Sequence, residues 1–250
     1  MKLFYWVFLF TINISAQTVE IQYKYHEHIR PKDLPINETH QLINYENELS
    51  YYIVEVEQDN SHVPGYIGPE KTEILRTYKN FSQDSVYTVY PVSLSYHFVK
   101  ERLPEIKWKL EEGSKNILDF ECKKASTEYR GRKYEAYYTE KIPTTDGPWK
   151  FYGLPGTILE IYDSEKKLTI EAIGVKVIKN STRLTNYWDN IKKKKVLTYD
   201  EHIKRKMKTY DRIKEIINSS LTNSSDVIST ANLNKDYPQA IEIVDFEKYK

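Results

Sequence analysis

The chain has 250 residues with Lys+Arg 37 against Asp+Glu 36 and a formal net charge of +1, so no global field draws it to nucleic acid or to an anionic membrane surface. Its single cysteine, Cys122, excludes an internal disulfide, and the fold must rest on core burial. Tyrosine is the compositional outlier, with 22 copies against 8 phenylalanines, and a ring with an apolar body and a polar tip suits strands with one wet face.

The first sixteen residues read as a secretory signal peptide. Lys2 precedes an apolar run from Leu3 to Phe10, extended by Ile12 and Ile14, and small Ser15 and Ala16 precede Gln17. Thr11 and Asn13 break the run well short of the ~20 apolar residues that a spanning helix needs. Cleavage after Ala16 leaves residues 17–250 as one exported domain with no integral membrane span, in the periplasm or beyond.

In the mature chain Val19, Ile21, Tyr23 and Tyr25 alternate with polar residues and predict a strand. His26 to Asn47, with Pro31 and Pro35 and little periodicity, reads as a loop with room for a short helix. Tyr51–Glu57, Ile74–Tyr78 and Ser85–Tyr90 read as strands, and the breaker-rich Ser61–Pro69 as an excursion between the first two. Ser93–Leu103 has no clear class. Ile106, Trp108 and Leu110 alternate with lysines, Glu111 to Asn116 reads as a hairpin turn around Gly113, and Ile117–Ala125 as the returning strand. A turn at Arg130–Arg132 and alternation of Tyr134, Ala136 and Tyr138 complete a three-strand meander from Ile106 to Thr139.

Cys122 alternates with Leu118 and Phe120 and is expected on the buried face of its strand as a small apolar residue. Beyond a proline- and glycine-rich segment, Thr157–Tyr162 resumes as a strand, Asp163–Lys167 forms a polar turn, and Leu168–Lys179 is a long strand. From Tyr199, residues Ile203, Met207, Tyr210, Ile213, Ile216 and Ile217 fall at helical spacing and predict an amphipathic helix over about 199–217. A short last strand is expected at Ala240–Val244. The sum is a mainly β protein, an antiparallel curved sheet or partial barrel of eight to ten strands, with a C-terminal amphipathic helix.

The chemistry-bearing residues form no reactive motif. A nucleophile elbow is absent, and Gly153-Leu154-Pro155-Gly156 lacks both a nucleophile and the free N–H groups that a phosphate cradle needs. His26 and His28 share a strand face and could hold a metal only with a third ligand from elsewhere; a solvent-facing pair on the edge of the first strand is expected instead, and no metal or cofactor. In Gly147-Pro148-Trp149-Lys150-Phe151-Tyr152-Gly153-Leu154-Pro155-Gly156 the prolines fix φ and the glycines permit bends. This builds one rigid loop that presses Trp149, Phe151 and Leu154 onto a surface. The same side chains serve either as a lid on the sheet or as the lining of an apolar ligand pocket or partner contact.

The stretch from Cys122 to Asp163 resembles the signature region of the GLPGLI family, secreted proteins of Bacteroidetes. Lys124-Ala125, the G-R-x-Y-x-A-x-x-T phrase at Gly131, Arg132, Tyr134, Ala136 and Thr139, Ile142-Pro143, Gly147-Pro148 with Phe151, and Gly153 to Gly156 follow in the family's order. Thr157 stands where the family name has leucine. The resemblance marks Arg132 and Tyr134 together with Trp149, Phe151, Gly153, Leu154, Pro155 and Gly156 as motif residues. It implies an exported lineage and no mechanism. The leading expectation is an exported, non-enzymatic envelope protein that binds an apolar ligand or an envelope partner near Trp149–Leu154. The alternatives are a secreted hydrolase using scattered carboxylates or histidines, and an assembly component.

Overall fold

The computed structural model describes residues 17–27, 36–57, 71–92, 95–179 and 193–220. The signal-peptide reading, Ser61–Pro69, His28 and Ala240–Val244 lie outside them. Among the described residues twelve strands form one sheet: β1 Gln17–Glu27, β2 Ile36–Tyr45, β3 Leu49–Glu57, β4 Lys71–Asn80, β5 Ser85–Val92, β6 Ser95–Arg102, β7 Lys109–Ile117, β8 Phe120–Tyr129, β9 Arg132–Thr139, β10 Thr157–Asp163, β11 Leu168–Lys179 and β12 Val196–Leu197. Helix α1 spans Tyr199–Ser220. No helix among the described residues is long and apolar enough to cross a membrane.

The strand order is β12-β6-β5-β4-β3-β2-β1-β11-β10-β9-β8-β7. Two antiparallel meanders, β1–β6 and β7–β11, are therefore joined by pairing of β1 with β11, from Gln17 opposite Lys179 to Glu27 opposite Leu168. β6 and β7, consecutive in sequence, lie near opposite edges, joined only by Leu103–Trp108. A chain of that length reaches at most about 25 Å, whereas a flat sheet would separate the two strands by about 48 Å at ~4.8 Å per strand. The connection forces the sheet to curl until its edges approach each other, although it stays open.

Several sequence expectations are corrected. Ile36–Tyr45 is a strand, not loop or helix: His40, Leu42 and Asn44 are buried on one face, and Gln41 and Ile43 on the other. With both faces covered, the hydrophobic alternation that marks a strand disappears. Ser93–Leu103 supplies β6. The turn expected around Gly113 falls at Leu118–Asp119, and Gly113 (φ +116°) lies in a bulge between Glu111 and Ser114 within β7. Leu118 is thus an exposed turn residue with φ 52°, not a partner of buried Cys122 on a strand face. The residues from Ile106 to Trp108 precede β7 and are not strand, and the described residues alone hold twelve strands, where eight to ten were expected.

Helix α1 starts with a reciprocal cap. The Glu201 N–H donates to Thr198 Oγ1 at 3.2 Å, and the Thr198 N–H donates to Glu201 Oε2 at 2.8 Å. Among its described side chains burial is deepest in the first turns: His202, Ile203 and Lys206 are buried, Met207, Tyr210 and Ile213 half-buried, and Ile216 58% exposed. The apolar stripe read from the sequence therefore runs past the surface it covers.

Candidate functional site

The segment between β9 and β10, residues 140–156, crosses the concave side of the sheet. Its aromatic side chains are interior. Phe151 is fully buried among Tyr134 (centroids 4.9 Å apart), Tyr129 (5.8 Å), Trp149 (5.8 Å) and Trp108 (6.2 Å), distances at which edge-to-face ring contacts are favourable. Trp149 is 6% exposed and Leu154 is buried, in one cluster with Val19, Ile21, Tyr23 and Ile158. Trp149 adopts φ 53°, a left-handed conformation costly for a bulky residue, which aims its ring inward.

Charged groups fix the loop to the opposite wall. Asp146 is ion-paired with Lys79 of β4, and both side chains are essentially sealed from solvent, at 1% and 0% exposure. Asn44 Nδ2 of β2 donates to the second Asp146 oxygen at 3.0 Å, and the Gly147 N–H donates to the first at 2.8 Å. Lys79 Nζ also donates to the Gly147 carbonyl at 2.8 Å and, more weakly, to that of Phe151 at 3.4 Å. Burial pushes the Lys79 ammonium below its ordinary value, and Asp146 opposes that shift. A second lysine, Lys150, reaches the other way. Its Nζ donates to Tyr90 Oη of β5 at 2.7 Å and to the carboxylate of Glu101 on β6, and lies 4.9 Å from the Trp149 ring centre and 5.8 Å from that of Tyr199. Glu101 is also paired with Arg130 of the β8–β9 turn, so one carboxylate joins the two approaching edges.

Backbone bonds stiffen the loop itself. The Gly153 N–H donates to the Thr145 carbonyl at 2.9 Å, that of Ile158 to Asp146 at 3.0 Å, and that of Phe151 to Pro148 at 3.1 Å. Gly156 is required by close approach: a Cβ there would stand 2.3 Å from the Thr139 carbonyl oxygen. Gly153 is required by its φ of +89°. Thr157, where leucine was expected from the resemblance, is fully buried and its hydroxyl donates to the Thr144 carbonyl at 2.8 Å. The substitution exchanges an apolar anchor for a hydrogen bond that closes the base of the loop.

Of the motif residues named from the sequence, Tyr134, Trp149, Phe151 and Leu154 converge in this interior, and Gly156 supports it. Arg132 stands apart, its guanidinium 2.9 Å from Asp163 across β9 and β10, and Gly153 and Pro155 are exposed. The residues that sequence reasoning missed are Asp146, Lys150, Lys79 and Asn44. Asp146 and Lys150 lie within the loop, but nothing in the sequence pairs them with Lys79 and Glu101, which are 67 and 49 positions away.

The loop's outward side is different. Tyr152 is half-buried against Phe81, 5.5 Å between ring centres. Its hydroxyl donates to the Pro104 carbonyl at 2.9 Å, and Trp108 Nε1 donates to the Tyr152 carbonyl at 2.8 Å. With half-buried Pro104, these rings form an aromatic patch whose polar tips are already tied to backbone, while Ile106 packs on the core cluster.

A family model matches at this same place. It covers residues 129–160 and is described as a protein of unknown function (Porph_ging). No curated protein sequence matches the chain. Among solved structures, PNGF-II in its C2 and P21 crystal forms superposes with a TM-score of 0.52 in each case, at 17% and 16% identity, over 78% of this chain. The chain spans about a third of PNGF-II, 34%, so the likeness is one of fold within a larger protein. The LolA superfamily protein NE2245 from Nitrosomonas europaea superposes at a TM-score of 0.27 and 11% identity, over 67% of this chain and 88% of its own.

Proposed function

We propose that this is a GLPGLI-type exported protein of the cell envelope that acts by binding rather than by catalysis, with another envelope protein as its partner. The contact lies on the outward aromatic patch around Tyr152 and Trp108. One observation carries it: the motif loop turns Trp149, Phe151 and Leu154 into the core and leaves Tyr152 half-exposed beside Trp108, Phe81 and Pro104. Aromatic rings on a rigid support, with little entropy left to lose, are what protein contacts use as anchors. The reactive-looking groups of the loop, Asp146 and Lys150, are engaged by Asn44, Lys79, Tyr90 and Glu101 beneath the surface, which favours binding over hydrolysis. An apolar small molecule in the concave interior would have to displace side chains already packed on Tyr129 and Tyr134.

Native purification of the exported protein, followed by mass spectrometry of what accompanies it, tests the reading. A stoichiometric protein is expected with the wild type and with Tyr152→Phe, which keeps the ring. It should be lost with Tyr152→Ala, assayed below that variant's own melting temperature so that the protein is still folded. Copurification undiminished by Tyr152→Ala refutes the patch, and a lipid or other apolar molecule in place of a protein moves binding to the interior.

A further inference from the structure

Helix α1 lies where the two edges of the sheet approach, with Tyr199 over the Arg130 guanidinium at 4.1 Å. Two histidines hold it to β6. His97 of β6 and His202 of α1 face each other with their Nδ1 atoms 2.9 Å apart and their rings crossed at 88°. His202 is buried and stacks on Tyr90 of β5, 4.4 Å between centres at 20°. A contact of that length between two imidazole nitrogens is a hydrogen bond in which one Nδ1–H donates and the other Nδ1 accepts through its lone pair. The shared point holds one proton. A second proton there would set two N–H groups against each other.

A first proton taken up at the outer nitrogen of the donor ring would keep the bond but add charge to cationic surroundings. Arg205 and Lys206 belong to α1, Lys150 comes from the motif loop and Arg130 from the β8–β9 turn, whereas Lys194, ahead of β12, lies over Phe98 on the other face of β6. The acidic groups nearby are already engaged: Glu101 of β6 by Lys150 and Arg130, and Glu201 of α1 by the Thr198 cap. Asp200 stands in the first turn of α1, where it favours the helix N-terminus. Tyr90 and Tyr199 are the phenols packed on the pair.

We propose that the His97–His202 pair is an acid-released clasp, and that its protonation detaches α1 from β6 and opens the seam over Lys150 and Tyr90. The proposal does not depend on what the protein binds. Burial, then the charges of Arg205 and Lys206, hold the His97 imidazole below its ordinary value. A released histidine titrates near 6.5, so docking is fully supported above about that pH and is lost as pH falls below it. The helix cap is not the weak point, because hydrogen bonds from the Thr198 N–H and hydroxyl keep the Glu201 carboxyl below its usual range.

The test is hydrogen exchange of the full mature chain between pH 7.5 and 5.0, each rate normalised to the intrinsic rate at that pH. Protection of the α1 amides around 202–207 should fall about tenfold per pH unit below roughly 6.5 for one proton taken up on release, and up to about a hundredfold for two, while the β1–β11 amides hold. In His97→Gln, which can hydrogen-bond but cannot charge, the pH dependence should be shallower by the His97 proton, with at most the tenfold per pH unit of His202 left, and it should be flat when His202→Gln is added. An α1 protection in the wild type that does not change with pH overturns the proposal, as does an unchanged pH dependence in His97→Gln. If His97→Gln is already undocked at pH 7.5, imidazole titration in the wild type decides. His97 should titrate below 6.5 in step with loss of α1 protection, and two independent titrations near 6.5 would overturn the clasp.

Discussion

Replacing Lys79 with methionine removes the cation from beneath the motif loop while keeping most of the side-chain volume. Asp146, 1% exposed, would keep only the Asn44 Nδ2 and Gly147 N–H donors at 3.0 and 2.8 Å, and the Gly147 carbonyl would lose its 2.8 Å partner. Removing one member of a buried ion pair costs about 3–5 kcal/mol, because the remaining charge is left uncompensated. In a domain of this size that lowers the melting temperature by roughly 6–20 °C. Asp146→Asn in the same background removes the orphaned charge and keeps an acceptor for the Gly147 N–H. The double variant should therefore be less destabilised than the sum of the singles by about 1–3 kcal/mol. Denaturant unfolding of the mature chain at 25 °C, followed by intrinsic fluorescence, measures both. A Lys79→Met chain within about 1 kcal/mol of wild type, or strictly additive singles, would refute the view that this pair ties the loop to the wall.

Gly156→Ala should destabilise by about 1–3 kcal/mol or more, since its Cβ would meet the Thr139 carbonyl oxygen and carbon at 2.3 and 2.6 Å. Gly153→Ala meets nothing within 4 Å and is strained only by its φ of +89°, a cost of about 1–2 kcal/mol; thermal melts of the two variants should rank in that order. Burial pushes the Cys122 thiol up to about 11, so about one molecule in a thousand carries the thiolate at pH 8. Native protein should resist a thiol-specific reagent at pH 8 and react fully in denaturant, and rapid native labelling would contradict its place in the core.

The strands with one wet face were legible in the sequence. β9, the Ile21–Glu27 part of β1 and the Leu168–Ala172 start of β11 alternate because one side packs on the core and the other is more open to water. β2 was not legible, because Gln41 and Ile43 are buried as well as His40, Leu42 and Asn44; a strand covered on both sides with polar residues inside carries no period. Gly113 misled for another reason, since a positive φ serves a bulge as well as a turn, and local chemistry does not separate the two. In the motif, the inward aim of Trp149, Phe151 and Leu154 follows from apolarity and rigid bends. The pairing of Asp146 and Lys150 was not legible, because their partners Lys79 and Glu101 become neighbours only once the sheet has curled.

The central claim is that the motif loop is an interior strut joining opposite walls of the curled sheet. Amide exchange of the loop in the intact mature protein tests it most directly, since a surface loop opens locally while a strut opens only when the fold does. The Gly147, Phe151, Gly153 and Ile158 amides, each bonded within the loop or at its base, should exchange at the global unfolding rate shared by the core of β1 and β9. Exchange of these amides within minutes under native conditions, with β1 and β9 still protected, would contradict it.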